Sequence, residues 1–249
     1  MNHPALSLSP PPLVATPPVA SAPTDTRALL ERLLRDGAGL SRTLLEGPGA
    51  AAAVAPLALL AAGGAALFGL AIGLQGGLAQ ALVSAVKLPL VVLGSAALTL
   101  PMLHVCCAQA GRALAPERLS ALVLQAVATA TVTMAGLAPL AVVTWLTFSL
   151  GSGGGHEGGD AAFYAYRRLV LATVAVGGLG GLVGAVQLWR VLPVRATLPW
   201  VGALGLVGLQ LSWLLRPVIG MPGRLVILRP VQGSGLSEVL SALAAVLGV

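Results

Sequence analysis

Long uninterrupted apolar stretches dominate the chain between residues 52 and 215. A helix needs about 20 apolar residues to cross the ~30 Å hydrocarbon layer of a bilayer, because each residue adds about 1.5 Å. Stretches of this length lie at residues 52–74, 82–103, 119–146, 169–188 and 198–215. The sequence therefore predicts an all-α polytopic bundle of five transmembrane spans over residues 52–215.

Residues 24–46, which precede the spans, have a different pattern, with apolar residues on one face and charged residues on the other. Thr24 or Asp25 can cap a helix at its start. The apolar face consists of Leu29, Leu30, Leu33 and Leu34. We expect an amphipathic surface helix, interrupted at residues 37–39, that rests on the membrane or docks against a partner helix.

The ends of the chain and one loop lack the pattern of a span. Residues 1–23 hold seven prolines and predict a disordered tail, without the basic start and unbroken apolar core of a cleaved secretory signal. Residues 151–160 are mostly Gly and Ser and predict a flexible loop. Residues 216–249 predict an extended segment and then an apolar helix too short to span, which belongs at the membrane interface.

Composition supports a membrane protein and excludes several other classes. Apolar residues make up 57% of the chain, charged residues make up 9%, and the mean hydropathy is +0.93. These values exclude a soluble enzyme domain. A transmembrane β-barrel is also disfavoured, because its strands alternate apolar and polar positions whereas these stretches are continuous.

The net charge of +6 comes from basic residues scattered between the spans, so it does not indicate a nucleic-acid partner. In a five-span topology eight arginines fall on the amino-terminal side of the membrane. Five arginines fall on the opposite side, which has six basic residues if Lys87 is counted there. The positive-inside rule therefore predicts a cytoplasmic amino terminus in a bacterial inner membrane. The eight arginines are Arg27, Arg32, Arg35, Arg42, Arg112, Arg118, Arg190 and Arg195.

Residues that could carry chemistry are few. The predicted spans contain no Asp or Glu, and Lys87 is their one charged residue. Its side chain can snorkel to the interface, or it can contact a lipid headgroup or a substrate. His104, Cys106 and Cys107 lie close in sequence, but residues one apart on a helix point in different directions, which does not suit a metal site. We expect no metal, no cofactor and no enzymatic activity.

Small residues recur four positions apart in the first and fourth spans. Gly69 and Gly73 form one such pair, and Gly177, Gly181 and Gly184 belong to a longer glycine pattern. Glycines on one face allow two helix backbones to approach closely. They predict either a dimerisation seam or helix packing within one chain.

The end of the fifth span has the most unusual pattern, QLSWLLRP at residues 210–217. Trp213 suits the headgroup level, Arg216 can bond a lipid phosphate or the last helix carbonyls, and Pro217 ends the helix. Together with Lys87 these residues are candidates for contact with a lipid or a partner protein.

This stretch resembles an uncharacterised family of bacterial multi-pass membrane proteins whose last span ends in Gln-x-x-Trp-x-Leu-Arg-Pro. The chain departs from that pattern at Val218, where Phe is expected, and at residues 233–236. The resemblance covers about a third of the chain and implies a membrane location but no activity. The matching positions are Gln210, Trp213, Leu215, Arg216, Pro217, Gly220, Pro222, Arg229 and Pro230.

In span number and orientation the chain is also loosely similar to the Yip-type five-span proteins of membrane trafficking. These patterns together predict a non-catalytic structural, assembly or membrane-organising component. Its expected partners are the lipid bilayer and either another membrane protein or a second copy of the chain. The alternative is a transporter or channel subunit whose path is lined by the third and fifth spans and Lys87.

Overall fold

The structure, a computed structural model, describes residues 22–151 and 159–215. Helices account for nearly all of them, with one 3₁₀ turn at Leu74–Gly76, and these residues contain no strand. The predicted disordered tail, the centre of the glycine-rich loop and the segment after the last span lie outside the described residues, except for the last two residues of the tail. The helices are α1 (Thr26–Arg35), α2 (Gly37–Glu46), α3 (Ala50–Gly73), α4 (Leu78–Gln109), α5 (Pro116–Gly151), α6 (Gly159–Trp189) and α7 (Val194–Leu214).

Among the described residues five helices, α3 to α7, contain a membrane span, so the predicted all-α five-span bundle is confirmed. Each has a segment long and apolar enough to cross a bilayer. Several helices extend beyond the predicted spans, and α4 and α5 reach 32 and 36 residues. Prolines lie inside four of the five helices without ending them. This is typical of membrane helices, where neighbouring groups satisfy the carbonyls that proline leaves free.

The helix α5 lies at the centre of the bundle. It packs against α3 on one side and α6 on another, while α4 packs against α3 and α7 packs against α4. In its apolar stretch 61% of residues are buried, compared with 22% in α6 and 17% in α7. Large apolar side chains such as Leu67, Leu98 and Leu206 point outward, which suits a protein whose solvent is lipid.

The amphipathic segment before the spans is interrupted, as the sequence predicts, and forms the two helices α1 and α2. The Asp36 carboxylate accepts a hydrogen bond from the Gly39 N–H at 2.8 Å and caps α2, so the break lies at Asp36, one residue before the predicted interruption. The apolar face packs within the chain, because α1 and α2 contact α3 and α5. Leu30 is half-buried and Leu34 is exposed. The buried leucines of α1 and α2 are Leu29, Leu33, Leu40, Leu44 and Leu45.

Three arginine side chains tie together one end of the bundle. Arg118 donates a hydrogen bond to the Leu45 carbonyl at 2.8 Å, which joins the start of α5 to α2. Arg112 donates to the Val191 carbonyl at 2.6 Å, and Arg195 donates to the Ala110 carbonyl at 2.8 Å. The α4–α5 loop and the α6–α7 turn are therefore joined, at the same end of the bundle as α2.

Candidate functional site

An elongated apolar cavity lies between α6 and α7, and we call it the cleft. Its volume is about 620 Å³, within the range of about 300–1,000 Å³ that is usual for ligand pockets. The helices α4 and α5 form its floor through residues such as Val92 and Met134. On α6 the lining extends from Thr173 to Trp189, roughly 25 Å along the helix axis at about 1.5 Å per residue. The cleft is therefore nearly as long as the hydrocarbon layer is thick.

The cleft exists because consecutive helices are held by different neighbours. The helix α6 packs mainly on α5, α7 packs mainly on α4, and α6 and α7 scarcely meet. The helix faces that line the cleft are rich in glycine, so no large side chain fills the space between them. A Cβ atom added to Gly181 or Gly205 would meet no atom within 4 Å. The lining glycines are Gly177, Gly178, Gly181, Gly184, Gly205 and Gly208.

Polar atoms lie at both ends of this apolar lining. Thr173 Oγ1 and Trp189 Nε1 are buried, and neither has a hydrogen-bond partner within the described parts of the chain. Ser212 is satisfied by its own helix, since its hydroxyl donates to the Leu209 carbonyl at 2.8 Å. A ligand in the cleft could therefore bond to polar groups near its two ends and would contact only apolar surface between them.

Three exposed arginines surround the α6–α7 turn, which follows the Trp189 end of the cleft. Arg190 comes directly after Trp189, Arg195 lies in the first turn of α7, and Arg112 is held there by its bond to Val191. Within residues 22–151 and 159–215 no carboxylate forms a salt bridge with any of the three. The turn is therefore a cationic surface next to an apolar cavity.

Away from the cleft, a cluster of buried polar groups joins α2 to α5. The Gly37 carbonyl accepts hydrogen bonds from the Ser41 hydroxyl at 2.9 Å and from Gln125 Nε2 at 2.7 Å. The Ser41 hydroxyl has one proton, which lies between the Gly37 carbonyl and Gln125 Oε1 at 3.0 Å and is shared by these two acceptors. Gln187 of α6 approaches the same glycine, since a Cβ atom added to Gly37 would clash with its side-chain amide. These contacts hold the amino-terminal helices on the bundle.

Lys87 is a buried member of a polar stripe along α4. The residue is 7% exposed, and buried polar side chains lie three and seven residues before it and eight and twelve residues after it on the same helix. Thr99, at the far end of the stripe, accepts a hydrogen bond from Trp200 Nε1 of α7 at 3.1 Å. The other members are Gln80, Ser84 and Ser95.

The glycines predicted to pack helices lie in different surroundings. A Cβ atom on Gly69 would reach the Ser84 carbonyl at 2.5 Å, and one on Gly73 would reach the Ala81 Cα at 2.6 Å, so α3 meets α4 backbone to backbone. A Cβ atom on Gly184 would reach the Ala126 carbonyl of α5 at 2.5 Å. Gly177, Gly181 and Gly184 all line the cleft, and a Cβ atom on Gly177 or Gly181 would meet no backbone atom of another helix.

The remaining predicted site residues are spread over the molecule. Trp213 is buried near the end of α7, while Arg216 and Pro217 lie outside the described residues. On α4, His104 is exposed, Cys106 is half-buried and Cys107 is buried, and both cysteines carry free thiols. The cysteines lie 19 and 20 residues after Lys87 on the same helix, so they do not form one site with it.

Sequence reasoning missed both the cleft and the α4 stripe. The stripe had a signal, since Gln80, Ser84 and Lys87 recur at helical spacing. The only sequence signal for the cleft was the glycine content of the fourth and fifth spans. Comparisons of the chain with protein-family models, with curated proteins and with solved structures gave no match. Its function has to be argued from this geometry.

Proposed function

We propose that the chain is a non-catalytic, multi-pass component of a bacterial inner membrane that acts in membrane organisation or assembly. The observation that carries this proposal is the cleft between α6 and α7. Because its lining is apolar over most of its length, the complementary occupant is apolar, such as part of a lipid or of a membrane-protein partner. Between Thr173 and Trp189, which lie at the two ends of the cleft, a small polar substrate would lose its hydration without gaining hydrogen bonds.

The hydrogen bonds of the buried polar side chains support a role without catalysis. Ser41 and Gln125 join α2 to α5, and Trp200 and Thr99 join α7 to α4. Several further hydroxyls bond back to carbonyls of their own helix, as Thr129 does to Gln125 at 2.9 Å. These contacts serve packing between and within helices.

The exposed sides of α6 and α7 support a role in contacts with other membrane components. Their apolar stretches are the least buried of the five spans. The bilayer covers such faces in a monomer, and a partner or a second copy covers them in an assembly. We infer that lipid, a membrane-protein partner or another copy of this chain contacts this side of the molecule.

The arginine-rich end supports a cytoplasmic amino terminus. Arg112, Arg118 and Arg195 bond carbonyls that connect the ends of α2, α4, α5, α6 and α7. The positive-inside rule assigns such an end to the cytoplasm. In this orientation the cationic turn beside the cleft faces the anionic cytoplasmic leaflet.

Extraction of the full chain from its native membrane with a lipid-retaining polymer tests the proposal. We expect a protein partner or a defined lipid at fixed stoichiometry, and its loss when Gly205→Leu fills the cleft. Gly202→Leu is the matched control, because Gly202 is exposed on the same helix, does not line the cleft and has no atom near its Cβ position. Bulk lipid alone, unchanged by Gly205→Leu, would contradict the proposal.

A transporter or channel subunit is the second candidate, and the buried Lys87 on the polar α4 stripe favours it. Intramembrane charges are costly and usually mark a path for ions or substrates. Flux across liposomes that is lost in Lys87→Ala and kept in Trp213→Ala would support this candidate. Absence of flux in liposomes containing the intact chain would count against it.

A further inference from the structure

We propose that the cleft holds the hydrocarbon chain of an anionic phospholipid whose phosphate is bound at the arginines of the α6–α7 turn. This inference rests on the proposed function and specifies the occupant of its site. It combines three observations on the described residues: the shape of the cleft, the character of its lining and the unpaired cationic charge at one end.

The volume of the cleft favours a hydrocarbon chain over a helix. The lining extends along most of one bilayer thickness, yet the cavity holds about 620 Å³. An α-helix with side chains is about 10–12 Å across, and over the same length it would need far more space than this. A complete helix of a second copy or a partner protein would therefore extend beyond the cleft, whereas extended lipid chains are narrow enough to enter it.

The lining has the chemistry of a lipid-chain site. Between Thr173 and Trp189 the α6 residues that line the cleft are glycine, alanine, valine and leucine. The α7 residues opposite include Val201, Leu204 and Leu209. Each buried methylene group of a bound chain gains about 0.8 kcal/mol relative to water. Because chains in the surrounding bilayer have a similar apolar environment, the selectivity of the site has to come from the headgroup.

The α6–α7 turn supplies that selectivity. Arg112 and Arg195 are fixed in position by their hydrogen bonds to backbone carbonyls, and each guanidinium retains further N–H donors. Arg190 is exposed and makes no hydrogen bond or ion pair with any described residue. Trp189 Nε1, which lines the cleft one residue earlier, is a buried donor without a partner in the described chain. These donors match a phosphate at the membrane interface.

Titration of the purified full chain with phosphatidylglycerol and with phosphatidylcholine of identical acyl chains, read by native mass spectrometry, tests the inference. We expect one retained phosphatidylglycerol. Arg190→Gln should lower the preference for phosphatidylglycerol over phosphatidylcholine by about fivefold, the usual effect of one arginine near an anionic lipid surface. Arg27→Gln is its control, since Arg27 is exposed on α1, which packs on α2, α3 and α5.

A second pair of variants tests the chain site independently of the headgroup. Gly205→Leu should weaken retention of both lipids to the same extent, because the leucine takes the space of the hydrocarbon chain and leaves the arginines unchanged. Gly202→Leu should leave retention unchanged. A Cβ atom added to Gly202 or Gly205 would meet no atom within 4 Å, so we expect both variants to fold.

Two results would overturn the inference, namely a lipid preference unaffected by Arg190→Gln or lipid retention unaffected by Gly205→Leu. Native extraction separates this failure from failure of the proposed function. A protein partner that co-purifies at fixed stoichiometry and is lost in Gly205→Leu, without any lipid preference, overturns the phospholipid site and leaves the organising role standing. If neither a partner nor a defined lipid is retained, both proposals fail.

Discussion

The Ser41 hydroxyl donates a hydrogen bond to Gln125 Oε1 at 3.0 Å, between two residues 84 positions apart in sequence. The same hydroxyl and Gln125 Nε2 both bond to the Gly37 carbonyl. Gln125 therefore fixes the first turn of α2 against the central helix α5. This contact, together with the buried leucines, explains why the amphipathic segment lies on the bundle.

Replacing Gln125 with leucine should loosen this junction. Gln125→Leu removes one of the two hydrogen bonds to the Gly37 carbonyl and an acceptor of Ser41, although the Ser41 hydroxyl keeps its bond to Gly37. We expect a destabilisation of about 1–2 kcal/mol. In thermal unfolding in detergent micelles this corresponds to a midpoint lower by roughly 2–8 °C.

Gln210→Leu is the matched control, because Gln210 is exposed on α7 and makes no hydrogen bond with any described residue. Its unfolding midpoint should stay close to that of the original chain. Equal midpoints for the Gln125 and Gln210 variants would show that the junction contributes nothing measurable.

Alanine substitutions at Gly184 and Gly181 of α6 should have opposite effects on the stability of the bundle. In Gly184→Ala the new Cβ would lie 2.5 Å from the Ala126 carbonyl, so α6 must move away from α5. Such overpacking costs about 1–3 kcal/mol. In Gly181→Ala the methyl group enters open space, and the higher helix propensity of alanine adds up to about 1 kcal/mol of stability.

Thermal unfolding of these two alanine variants, compared with the original chain, is the measurement. Gly184→Ala should unfold at a lower temperature, and Gly181→Ala at the same temperature or a higher one. The reverse order would mean that α6 presents a different face to α5.

Trp200 and Thr99 should be energetically coupled. Trp200 is 1% exposed, and its Nε1 donates to Thr99 Oγ1 at 3.1 Å, which connects α7 to α4. In a double-mutant cycle with Trp200→Phe and Thr99→Val we expect a coupling energy of about 0.5–1.5 kcal/mol. Strictly additive effects of the two substitutions on unfolding would contradict this hydrogen bond.

The orientation of the chain can be measured with reporter fusions. An odd number of spans places the two flanks on opposite sides of the membrane. The arginine distribution predicts that a reporter fused at Asp25 reads cytoplasmic and one fused after Val249 reads external. The same location for both reporters would contradict a five-span arrangement, and exchanged locations would reverse the orientation.

The sequence predicted the five spans well because span length and hydropathy are local properties. Its third span, 119–146, lies within α5 (Pro116–Gly151), even though Pro139 could have ended the helix there. The bends and ends of such helices depend on neighbouring groups that satisfy the free carbonyls, and these neighbours are not local in sequence.

It was harder to predict which face of each helix packs against which neighbouring helix. Glycines four apart occur in two registers on α6, Gly177 with Gly181 and Gly180 with Gly184. Gly180 and Gly184 meet the backbone of α5, and Gly184 also lines the edge of the cleft, whereas Gly177 and Gly181 line the cleft without meeting that backbone. Spacing alone permits both registers. The cleft depends on α6 and α7 each having a different main neighbour, and no local pattern encodes that arrangement.

Site-directed photocrosslinking in the native membrane tests the occupied cleft most directly. A diazirine-bearing aliphatic residue placed at Leu204 lies in the cleft lining, and one placed at Leu206 lies on the exposed face of the same helix. The account predicts one defined adduct from position 204 and a mixture with the composition of bulk lipid from position 206. Indistinguishable bulk-lipid adducts from both positions would contradict it.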